Sequence, residues 1–83
     1  MPKITVSPVP ANPGDVVTIC YWPVNGSAEM SITFDLDGGG QSGLSVRVTA
    51  LNPCVEVRVP SNADQGVVTD VSGAAQDALI VLT

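Results

Sequence analysis

Met30-Ser-Ile-Thr-Phe-Asp-Leu-Asp37 alternates without a break, with Met30, Ile32, Phe34 and Leu36 on one side and Ser31, Thr33, Asp35 and Asp37 on the other. A period of two over a stretch this long marks an extended strand with one dry face and one wet face, because successive side chains leave a pleated backbone in opposite directions. The pattern recurs downstream. Leu44, Val46, Val48 and Ala50 alternate with Ser45, Arg47 and Thr49, and Val55, Val57 and Val59 alternate with Cys54, Glu56 and Arg58. No stretch sustains a 3.6-residue period, so helices are not expected.

Turn signals divide the rest of the chain into similar pieces. Ile4-Thr-Val-Ser7 reads as a short edge strand, closed by Pro8-Val-Pro-Ala-Asn-Pro-Gly-Asp15, whose prolines cannot donate to a ladder. Val16-Val-Thr-Ile-Cys-Tyr-Trp22 is dense in β-branched and aromatic residues and is stopped by Pro23 and Asn25-Gly26. Asn52-Pro53 and Pro60 bound the Val55, Val57, Val59 strand, and Ser61-Asn-Ala-Asp-Gln-Gly66 reads as a polar connection. Val67-Val-Thr-Asp-Val71 and Ala78-Leu-Ile-Val-Leu-Thr83 form a last hairpin. The expectation is one all-β domain over residues 1–83, a sandwich of about seven strands in two antiparallel sheets. With 45% hydrophobic but only 4% aromatic residues, its core must be built from valine, leucine, isoleucine and alanine.

The chain resembles an immunoglobulin-like β-sandwich and, within that group, the IPT/TIG-like domains. The residues that carry the resemblance are Ile4-Thr-Val-Ser-Pro8 with Pro13-Gly-Asp-Val-Val-Thr-Ile19, Val57-Arg-Val-Pro-Ser-Asn-Ala-Asp-Gln-Gly-Val-Val-Thr-Asp-Val71, and the final Ala78–Thr83. Cys20-Tyr-Trp-Pro-Val-Asn-Gly26 departs from the Gly-x-x-Phe-like turn usual in such domains. The resemblance implies a non-catalytic module used in adhesion, assembly or spacing. It also implies that the second and fifth strands are antiparallel neighbours, so that Cys20, on the outward Thr18 side, can stand opposite Cys54, on the outward Glu56 side. A cross-strand disulfide and a pair of reduced thiols acting as small hydrophobes both fit.

Charge and residue inventory narrow the function. The formal charge is −5, and the three basic residues, Lys3, Arg47 and Arg58, are scattered, which leaves no patch to neutralise nucleic-acid phosphates. No apolar run reaches the length of a membrane span, and the N-terminus lacks the pattern of an export signal. There is no histidine, and no serine or cysteine has a recognisable base partner, so an enzyme and a bound cofactor are not expected.

Three features remain as binding candidates. Asp35 and Asp37 are a weak Ca²⁺ candidate, because a hard cation needs six or more oxygens and the neighbouring supply is Gln41, Ser42 and loop carbonyls. Setting Phe34 against Val48 predicts instead that Asp35 faces Arg47 as an ordinary cross-strand pair. The glycine-rich Gly38, Gly39, Gly40, Gln41 and Ser42 read as a mobile loop that can conform to a neighbouring surface. Trp22 and Pro23 are either a lid on the core or an exposed anchor for a partner. The chain is expected to be a short complete gene product, made in a host cytoplasm and carried on a virion as a capsid decoration or head-associated protein. Its partner is then a protein surface, either the capsid or further copies of itself. The alternative is a spacer or adhesion domain of a larger bacterial surface protein or extracellular enzyme.

Overall fold

In the computed structural model, which describes residues 1–83, the chain forms β1 (Lys3–Ser7), β2 (Val16–Trp22), β3 (Ser27–Leu36), β4 (Gln41–Thr49), β5 (Cys54–Arg58), β6 (Ala63–Asp70) and β7 (Ala78–Ile80). These strands make two antiparallel sheets, in the orders β1-β2-β5 and β4-β3-β6-β7, so the protein is an all-β sandwich without helices. The alternation read in the sequence sets the inner faces. Val17, Ile19 and Tyr21 of β2 and Val57 of β5 point from the first sheet toward Met30, Ile32 and Phe34 of β3 and Val68 of β6. Ile19, Met30, Ile32, Phe34 and Val68 are almost wholly excluded from solvent, and burying such a side chain contributes about 1.5–3 kcal/mol.

β3 and β4 pair in a different register from the one expected. Phe34 lies across from Ser42 rather than Val48, a displacement of six residues, and Asp35 lies across from Gln41 rather than Arg47. The turn is responsible. Leu36 N–H donates to Gly40 O at 2.8 Å and Gly39 N–H to Leu36 O at 3.1 Å, so the chain reverses at once. Gly38 and Gly39 sit at φ of 93° and 96°, where a Cβ is strained, and this lets the reversal be short. Gln41 and Ser42, expected in a mobile loop, are therefore the first residues of a strand. Because the displacement is even, each side chain keeps its expected face and changes only its neighbour.

Two other boundaries differ. Ala63–Gly66, read as a connection, begins β6, where Ala63 and Gly66 are buried. Gly66 faces Phe34, and a Cβ there would lie 2.8 Å from two ring carbons of Phe34 and 3.1 Å from Cβ of Ile80. At the C-terminus β7 ends at Ile80, and the chain then lies alongside Ala11 in a parallel bridge at Leu82. Ala11 N–H donates to Val81 O, and Thr83 N–H donates to Ala11 O, each at 2.9 Å. β1 pairs with β2 in the first sheet, whereas the segment after it joins the end of the second.

Candidate functional site

The end of β2 concentrates the unusual side chains. Strand parity turns Tyr21 inward and its neighbours Cys20 and Trp22 outward, as the alternation with Val17 and Ile19 requires. Cys20 is the direct cross-strand partner of Cys54, and a disulfide joins them on the outer surface of the β1-β2-β5 sheet. Trp22, across from Lys3, is 63% exposed, so it is not a lid on the core. Pro23 follows it, also exposed. Tyr21 N–H donates to Pro53 O, which brings the β4–β5 connection with its exposed Leu51 to the same end of the sandwich. Exposed Val71, at the end of β6, is there as well, its N–H bonded to Glu29 O. Pro2, Pro23, Asn25, Ser27 and Val71 line an open groove of about 490 Å³ at this end.

Beneath this surface lies a contact between the sheets that the sequence did not announce. Tyr21 Oη donates to Asp70 Oδ2 at 2.6 Å, and Asp70 also accepts from Ser72 N–H at 2.9 Å, Ser72 Oγ at 2.8 Å and Ala75 N–H at 3.0 Å. Asp70 is the one buried charged side chain. Burial by itself pushes its carboxyl up, but the bonds from Tyr21, Ser72 and Ala75 together outweigh that and hold it below the ordinary carboxylate value. The Tyr21 phenol is pushed up, first by the hydrogen bond to Asp70, then by desolvation and by the carboxylate's charge. The arrangement ties β2 to the loop after β6. The only legible signals were that an inward tyrosine must find a partner for its hydroxyl, and that an aspartate beside a turn usually bonds nearby backbone N–H groups.

The glycine turn stands at the other end. β3 runs from beside Val71 to Leu36, and Asp37 N–H donates to Asn62 O, so Gly38–Gly40 lie about 20 Å or more from Trp22 along the strand. The structure does not bring Trp22 and Pro23 together with Gly38, Gly39, Gly40, Gln41 and Ser42. Both Asp35 oxygens are occupied, Oδ1 by Gln41 Nε2 at 2.9 Å and Oδ2 by Gln65 Nε2 at 2.8 Å. Asp37 is exposed, and no group of three or more acidic, cysteine or histidine side chains is assembled around the pair. Arg47, expected beside Asp35, pairs instead with Glu29 at 3.2 Å, as the observed register dictates.

Comparisons with protein-family models, with curated proteins and with solved structures find no match.

Proposed function

We propose that the chain is a non-catalytic structural module of the immunoglobulin-like, IPT/TIG-like kind that binds a protein surface, and that it serves as an accessory virion protein on a capsid. The observation that supports binding is Trp22. A tryptophan 63% exposed, beside a proline and at the same end as exposed Leu51 and Val71, offers a rigid apolar contact of the type that anchors protein interfaces. Its indole contributes little to the core, so its removal separates binding from folding. In binding to purified capsid shells from the same source, Trp22→Ala is expected to weaken attachment by about 2 kcal/mol, roughly thirtyfold, with an almost unchanged melting temperature. Unchanged binding with a large loss of stability rejects the anchor. Electron microscopy of the mixture shows whether the chain decorates a shell at all.

A second reading, a spacer or adhesion domain in a larger surface protein, is favoured by a different observation. β1 starts at the Trp22 end, since Lys3 pairs with Trp22, whereas Thr83 is held by Ala11 and Asn12 at the opposite end. A domain entered at one end and left at the other is suited to stringing in series. An open reading frame extending beyond these residues into further domains supports this reading, and a short frame among capsid genes supports the first.

A further inference from the structure

The four sheet edges of the sandwich are unequal. β1 has five residues between Pro2 and Pro8, β5 has five between Pro53 and Pro60, and β7 has three, continued by the Ala11–Leu82 bridge. Short length and flanking proline are the usual means of blunting an edge against further pairing. β4 has neither. It runs for nine residues, Gln41–Thr49, without proline and with an unbroken ladder to β3.

Which groups that edge offers follows from the ladder. Leu36 N–H bonds Gly40 O, so in this antiparallel pair Ser42, Leu44, Val46 and Val48 turn their N–H and C=O groups toward β3. Gln41, Gly43, Ser45, Arg47 and Thr49 turn theirs away. Thr49 is satisfied locally, exchanging both bonds with Asn52. The outward groups of Gln41, Gly43, Ser45 and Arg47 have no partner in the chain.

We propose that this edge is the seam of a two-fold dimer, in which β4 pairs antiparallel with β4 of a second copy and the second sheets of both molecules join into one. Only one symmetric register uses all four free residues, Gln41 across from Arg47 and Gly43 across from Ser45. The same register sets Leu44, 40% exposed, against Leu44 of the second copy at the axis. It is also complementary in charge. Arg47, the only charged residue of β4, meets Gln41 of the second copy, and Gln41 is bonded on the same face to Asp35. The outer-face row across the seam then reads Glu29, Arg47, Gln41 and Asp35, so each Arg47, paired with Glu29 of its own molecule, has Asp35 beyond Gln41 as the next charge, twice in each dimer, and no like charges face each other. This surface is separate from the Trp22 end and does not rest on the reading of Trp22 as an anchor.

Light scattering at millimolar concentration is expected to give twice the 8.5 kDa chain mass, with the amides of Gln41, Gly43, Ser45 and Arg47 slowed in hydrogen exchange as concentration rises. Ser45→Pro removes an N–H that points only outward, so the fold is retained while self-association weakens about tenfold or more. Leu44→Lys sets two ammonium groups against each other at the axis and tests the same seam without proline. Monomeric variants with the wild-type circular dichroism uphold the dimer. A monomer at millimolar concentration, a dimer that survives both variants, or protection of the four amides only when another protein is added overturns it.

Discussion

The Asp70 carboxylate accepts four hydrogen bonds inside the protein, and Tyr21 supplies the one that crosses between the sheets. Both groups titrate differently once folded, which fixes a pH signature. The folded carboxyl lies below its unfolded value, so its stabilisation is present above about pH 4 and is lost as pH falls through the folded value. The folded phenol lies above its unfolded value, so its stabilisation is present below about pH 10 and is lost as pH rises through the folded value. Denaturant unfolding should show a plateau between these limits and a fall on either side. Tyr21→Phe should lower the plateau by about 1–3 kcal/mol and flatten the alkaline fall, the chain having no other tyrosine. An alkaline fall that persists in the variant assigns it to another group. The inward turn of Tyr21 was legible from strand parity. Its partner was not, because 49 residues separate the two and only the stacking of the sheets brings them together.

Between paired strands, alternation determines the face of each residue but not its neighbour. The pattern of Met30–Asp37 and Leu44–Ala50 is unchanged by any even slip, so the faces were legible while the partners of Asp35 and Arg47 were not. The glycine turn decides between registers, and its brevity depends on two left-handed residues that composition alone reads as looseness. Gly66 carries the converse lesson. Placed at the end of a polar stretch, it reads as a turn residue, yet its role is to leave room for Phe34 in mid-sheet. Gly66→Ala should cost about 1–3 kcal/mol in denaturant unfolding by overpacking against Phe34 and Ile80, and a neutral result would mean that the ring has space to shift. Across β2 and β5, the Cys20–Cys54 bridge closes a loop with a sequence separation of 34. Cys20→Ser with Cys54→Ser should lower stability by about 3–4 kcal/mol if restriction of the unfolded chain is its main effect. Equal stability with and without reductant would reject that account.

At the scale of the whole molecule, length, composition and turn spacing were enough for a two-sheet sandwich, because a chain with few aromatic side chains and so many short alternating segments has few other ways to bury a core. The polarity of the molecule was not legible. Trp22 and Gly38 are 16 positions apart in the sequence, yet β3 carries the chain the length of the sandwich between them. The segment after β1 adds a mechanical consequence. Ala11 lies parallel to Leu82, with its two backbone bonds side by side, while β1 begins at the Trp22 end and Thr83 lies at the other end of a body 38 Å long. A pull on the two termini therefore draws Ala11 and Leu82 past each other, loading both bonds in shear at the same moment rather than opening them in turn. Like a lap joint, the bridge carries tension along the axis without unzipping.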